Sequence, residues 1–203
     1  MQNLLKKIAE LKDSEISIKI NERIREFEKI RDDELFEELC FCLMTANYRA
    51  DKCIEIQKKI NKSFKTLSIE KLSKILKNEG HRFWPQRAER IVLARENISD
   101  LENLRKTNPG EARNWLVKNI KGLGLKESSH FLRNIGIKDL SIIDFHIVDL
   151  LVKENLIEKP RTLNPKKYEE IEKVLKEIAG KSNLNLAELD LYLWYIETGN
   201  VLK

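Results

Sequence analysis

The chain has 203 residues, 41% hydrophobic and 35% charged, with seven glycines and four prolines. That length allows one large domain or two small lobes, and the composition excludes disordered and fibrous classes. The net charge of +5 suits a nucleic-acid partner but does not establish one, because lysine also serves solubility. With no apolar run of membrane length and no signal-peptide pattern, the reading expects a cytoplasmic protein without a membrane partner. Cys40, Cys42 and Cys53 lack zinc-ligand spacing and read as buried, reduced thiols.

Apolar residues recur near a period of 3.6 and strand-like alternation is scarce, so the expected class is all-α. Residues 1–30 are charged and helical. Asp13 or Ser14 can cap a helix whose face carries Ile16, Ile20, Ile24 and Phe27. In residues 32–47, Leu35, Leu39, Cys42 and Leu43 share one face, and Phe36, Cys40 and Met44 widen it. A helix apolar this far round belongs in a core. It ends at Thr45-Ala46-Asn47, where Asn47 reads as a C-terminal cap. Residues 50–78 read as two amphipathic helices joined near 61–63, with Leu72, Ile75 and Leu76 as core.

Gly80-His81-Arg82-Phe83-Trp84-Pro85-Gln86-Arg87 combines a break, two aromatics and two arginines. It reads either as a loop packing aromatics into the core or as a wedge for a nucleic-acid stack. A helix continues from Arg87 to Arg95 with Ile91, Val92 and Ala94. Leu101 and Leu104 open a short segment that Asn108-Pro109-Gly110 closes as a turn signal.

Glu111 to Lys118 reads as a helix. After it come Asn119-Ile120-Lys121-Gly122-Leu123-Gly124-Leu125-Lys126-Glu127, and then a second helix with Ser128, Phe131, Leu132 and Ile135 on one face. The two glycines permit unusual torsions and close approach of a ligand to the main chain. A tight hairpin entering a helix N-terminus presents free N–H groups, which is an anion site. In a basic chain the expected anion is a nucleic-acid phosphate. Lys126 lies in the first turn of the second helix, where the helix dipole disfavours a cation. The same field favours the neutral amine that a nucleophilic lysine needs. Asp144 follows the apolar Ile142-Ile143 and can cap the next helix with its carboxylate fixed in place.

From Phe145 onward, Ile147, Val148, Leu150, Leu151 and Leu156 read as a buried helix. Pro160 and Pro165 bracket a loop. Tyr168, Ile171, Val174, Leu175 and Ile178 mark another helix, and Leu186, Leu189, Leu193, Trp194 and Ile196 mark the last. By itself Trp194 reads as core, and Lys203 as part of a frayed terminus.

Ile120-Lys121-Gly122-Leu123-Gly124 with Lys126, followed by Asp144 and His146, resembles the helix-hairpin-helix, Gly/Pro-Asp superfamily of DNA glycosylases. The wording Gly124-Leu125-Lys126-Glu127-Ser128-Ser129-His130-Phe131-Leu132-Arg133-Asn134, then Ile142-Ile143-Asp144, resembles one branch closely: the archaeal-type 8-oxoguanine DNA glycosylase/AP lyases. The resemblance covers most of the chain and is densest over 119–150. It implies a two-lobed all-α fold with a DNA-binding cleft between lobes. One lobe would span about 30–135, with the helix-hairpin-helix at 111–135; the other would combine 1–30 and 140–203.

The resemblance also implies roles. Lys126 and Asp144 would be catalytic. Gly122, Gly124, His146, Asn47, Arg82 and Phe83 would bind DNA, with Asn47 entering the gap left by a flipped nucleotide. Trp194 and Lys203 would recognise the base. No cofactor is implied, and the C-terminal part lacks the cysteines of a cluster-bearing relative. Relatives hold a monovalent cation on hairpin carbonyls, which here would be those of Lys118, Ile120 and Leu123. The expected partner is double-stranded DNA containing 8-oxoguanine, bound by a monomer at the nucleoid. Two alternatives stay open: a glycosylase for another oxidised base, and a non-catalytic helix-hairpin-helix module that only binds DNA.

Overall fold

The computed structural model describes residues 1–203 as eleven α-helices with three 3-10 segments and no strands. Helix α1 (Gln2–Lys12) leads to α2 (Glu15–Glu28), and the Ser14 hydroxyl caps α2 by accepting from the Ile16 N–H at 3.2 Å. Ile20, Ile24 and Phe27 of α2 are buried; Ile16 is only partly so, because it lies in the first turn.

A 3-10 turn at Asp32–Glu34 opens α3 (Leu35–Thr45), all of whose residues are buried. Two of them are glutamates that the apolar pattern does not announce. Glu38 accepts from Asn134 Nδ2 at 2.6 Å and from Gln57 Nε2 at 3.3 Å. Glu37 pairs with Lys65 at 3.6 Å. A carboxylate without such partners would be costly in this core.

Next come α4 (Ala50–Ile60), a 3-10 segment at Asn61–Lys65, and α5 (Ile69–Asn78). Leu72 and Leu76 are buried, whereas Ile75 is half-buried on the flank of that stripe. Helix α6 spans Trp84–Ala94 and so begins three residues before the expected Arg87. Pro85 stands in its first turn, where a missing N–H is harmless. A 3-10 run at Arg95–Lys106 precedes α7 (Pro109–Asn119). Here the expected turn at Asn108-Pro109-Gly110 is instead a helix start. Asn108 Oδ1 accepts from Gly110 N–H at 3.0 Å, and Pro109 holds the first helical position. Asparagine and proline are common to both motifs, so the tripeptide alone does not separate them.

Helix α8 (Leu125–Asn134) completes one compact unit, Ile30–Ile135, in which α3 packs against α4, α6 and α8. Arg105 gathers both ends of this unit: its guanidinium donates to the carbonyls of Ile30 and Ile135 and pairs with Asp32 at 2.6 Å.

The other unit joins Met1–Lys29 to Gly136–Lys203. Its later helices are α9 (Phe145–Lys153), α10 (Pro165–Ser182) and α11 (Leu186–Thr198). Ile20, Ile24 and Phe27 of α2 form a core with Ala187, Leu191 and Tyr192 of α11, and Leu11, Ile16, Leu184 and Val201 pack at its edge. Val201 thus ties down the tail after Gly199, so this terminus is not simply frayed. Tyr168 of α10 braces the approach to α9: its hydroxyl donates to Ser141 O at 2.7 Å and accepts from Ile143 N–H at 3.2 Å. Two expectations fail in α9. Leu156 lies beyond the helix, which ends at Lys153, and Phe145 is 68% exposed rather than buried. No helix is long and apolar enough to cross a membrane.

Candidate active site

The expected site residues fall in both units. In Ile30–Ile135, the hairpin is a tight turn in which Leu123 N–H donates to Ile120 O at 3.2 Å. Gly122 has φ +98°, the left-handed region required at its third position. Gly124 does not share this role. Its φ of −98° and ψ of −170° are extended, and it serves as the N-cap of α8. The expectation of two conformationally special glycines therefore holds for Gly122 alone. The group approaching Gly122 closely within the protein is Arg90, whose Cδ lies 2.5 Å from where a Cβ would stand. Gly122→Ala is expected to lose roughly 1–3 kcal/mol by strain and by this clash. Thermal unfolding measures the loss, and a variant as stable as the parent would contradict it.

Lys126 follows in the first turn of α8 with its side chain 23% exposed. Glu127, the next residue, sends Oε2 back to Gly124 N–H at 3.4 Å. Glycine has no side chain to reciprocate, so this is the return half of a capping box. Oε1 of Glu127 lies 4.0 Å from Lys126 Nζ. Cys53 of α4 and Arg87 of α6 are within electrostatic range of this cluster. Burial pushes the Cys53 thiol up to about 12, with Arg87 and Lys126 opposing that rise. Burial likewise pulls the Arg87 guanidinium below its ordinary value, and the Glu127 carboxylate acts against that shift.

Asn47, Arg82 and Phe83 come together although 35 residues separate the first two. Arg82 Nη2 donates to Asn47 O at 3.3 Å, and its guanidinium lies 4.5 Å from the Phe83 ring centre. Asn47 is exposed just past the cap of α3 and has φ +58°, a left-handed geometry that asparagine tolerates. Arg87 supports this group from beneath, donating to Ala46 O at 2.6 Å with its charge 5.5 Å from the Phe83 ring. His81 supports it too. Its Nε2 faces Met44 O at 3.0 Å and must carry the proton, while Nδ1 accepts from Phe83 N–H at 3.2 Å. Both bonds require the neutral ring, and burial pushes the imidazole below its ordinary pKa. Tyr48 stacks on His81 at 4.1 Å and donates to Gly80 O at 2.9 Å.

In the other unit, Asp144 caps α9 as expected, its Oδ1 accepting from Ile147 N–H at 3.0 Å. His146 lies between two aromatic rings: Phe145 stacks on it at 3.9 Å and Trp194 meets it edge-on at 5.1 Å. The Trp194 Nε1–H is shut off from solvent without an acceptor. Lys203 is half-buried, two residues beyond the packed Val201.

The role of Glu127, the supporting roles of Arg87, His81 and Tyr48, and the exposure of Phe145 do not show in the sequence pattern. Only Glu127 left a local signal: an acidic residue three positions after the cap is the capping-box spacing, hidden because the cap is glycine. The others depend on tertiary contacts.

An all-helical chain with a lysine in the first turn of the second helix of a glycine hairpin, and an aspartate cap two residues before a histidine, has the fold of a helix-hairpin-helix DNA glycosylase. A family model described as 8-oxoguanine DNA glycosylase matches residues 20–184. The chain belongs to that family. It is 52% identical over 206 residues to the 8-oxoguanine DNA glycosylase/AP lyase of Methanocaldococcus jannaschii, covering 98% of this chain and 99% of that one. It is 49% identical to the Korarchaeum cryptofilum protein of the same name, over 100% of this chain and 99% of the other. The crystal structure of the Methanocaldococcus jannaschii glycosylase/lyase with 15mer DNA containing 8-oxoguanine matches with a TM-score of 0.95 at 51% identity, covering 98% of this chain and 99% of that chain.

Proposed function

We infer that this chain is a bifunctional 8-oxoguanine DNA glycosylase/AP lyase acting on damaged double-stranded DNA. The observation that carries the reading is Lys126, held half-buried in the first turn of α8 behind the Gly122 turn, in a chain similar along its whole length to enzymes of that name. An oxidised base sits inside the duplex, so it must be extruded before reaction. The free amides at the start of α8, beside Gly122 and Gly124, grip backbone phosphates. Asn47, Arg82 and Phe83 occupy the vacated space; their mutual contacts and the rigid support from Arg87 and His81 favour this role.

Lys126, as the neutral amine, attacks C1′ of the deoxyribose. The bond from C1′ to the base breaks, and the base leaves with the electron pair. The sugar opens to a Schiff base, loses a proton from C2′, and expels the 3′-phosphate by β-elimination. Hydrolysis of the Schiff base frees the amine. Asp144, fixed by its cap bond, stabilises the positive charge that develops on the sugar. His146 binds a phosphate of the flipped nucleotide. Trp194 and Lys203 recognise the base.

The carbonyls named for a monovalent cation offer hard oxygen donors. That of Lys118 is in the last turn of α7 and lacks a helical partner, and that of Ile120 spends one lone pair on Leu123. A cation held there would add positive charge beside a bound phosphate.

Borohydride trapping tests the reading, using a duplex with one 8-oxoguanine beside an undamaged guanine duplex. A lesion-dependent covalent complex is expected. Trapping with an oxidised-pyrimidine duplex instead would keep the chemistry and discard the substrate. Binding to both duplexes without trapping would leave a DNA-binding module.

A further inference from the structure

Lys126 and Glu127 are neighbours in sequence, and neighbouring residues on a helix do not face one another. Their approach to 4.0 Å therefore needs Lys126 to fold back toward the start of α8, where Glu127 also reaches. Both side chains are largely shielded, at 23% and 18% exposure, unlike a solvated surface pair. The other oxygen of the same carboxylate accepts from Gly124 N–H. One carboxylate thus accepts from the hairpin amide with one oxygen and faces the amine at 4.0 Å with the other.

We propose that Glu127 is the positioning residue of the nucleophile, tying the Lys126 amine to the hairpin amide at Gly124. This rests on Lys126 being the nucleophile and deepens that reading. A hairpin clamped on phosphates then fixes where the amine stands, because the two share one carboxylate. A misplacement of about 1 Å at a reacting atom can cost on the order of a hundredfold in rate. Glu127 does not touch the sugar; its effect passes through Lys126.

The test is the single-turnover trapping rate on an 8-oxoguanine duplex, measured beside duplex affinity for the wild-type chain and Glu127→Gln. Glutamine keeps an oxygen for Gly124 N–H, so folding and duplex binding are retained. The trapping rate is expected to fall about tenfold at unchanged affinity as the amine loses its anchor. A wild-type trapping rate would reduce Glu127 to a helix cap and overturn the proposal. If Glu127→Gln fails to fold, Glu127→Asp serves: the charge remains but its reach is shorter, so the rate falls. A wild-type rate in Glu127→Asp would then overturn it. Failure of the underlying reading looks different: wild-type protein would not trap, or Lys126→Gln would still trap, whatever Glu127 does.

Discussion

Lys126→Gln is expected to abolish borohydride trapping and to lower strand cleavage at 8-oxoguanine by about a thousandfold or more, as removal of a covalent nucleophile does elsewhere. Duplex binding should survive, because the turn at Gly122 and the N–H groups opening α8 belong to the main chain. Stability should change little, within about 0.5 kcal/mol, since the side chain is neither deeply buried nor a hydrogen-bonded part of the core. Gel-resolved trapping, nicking and a binding titration measure the three quantities on one preparation. A variant that still forms the covalent complex would move the nucleophile elsewhere.

Asp144 requires two substitutions, because its carboxylate has two tasks. Asp144→Asn keeps an oxygen to accept from Ile147 N–H, so α9 keeps its cap while the negative charge is gone. Base excision is expected to fall by about 10²–10³-fold, the usual cost of removing one preorganised charge or donor aimed at a developing charge. The melting temperature should hold. Asp144→Ala removes the cap as well and should lose about 1 kcal/mol more in stability. Single-turnover excision beside thermal melts separates the effects. Full excision by Asp144→Asn would confine Asp144 to a structural cap.

The residues legible in sequence were those whose environment is local. The α3 core helix showed in its apolar period, the hairpin in Gly122 and the helix that follows, and the Asp144 cap in its place between an apolar run and a helix. What stayed hidden depends on distant partners. Asn134 satisfies Glu38 from 96 positions away, and Arg87 reaches Ala46 across 41, so neither pairing leaves a trace in spacing. Gly124 looked like Gly122 because composition does not encode φ. Phe145 looked like core because periodicity cannot tell which first-turn residue of a helix faces solvent.

Arg105 holds the two ends of the Ile30–Ile135 unit, and the remaining unit draws on both ends of the chain. This ordering has a consequence during synthesis. Once residue 135 has left the ribosome, every residue of the lysine-bearing unit is available to fold. Helices α1 and α2 emerge earlier still, but Ile20, Ile24 and Phe27 have to wait for Ala187, Leu191 and Tyr192. Until residue 192 has been made, the apolar face of α2 lacks its partner, so helices made early are buried late.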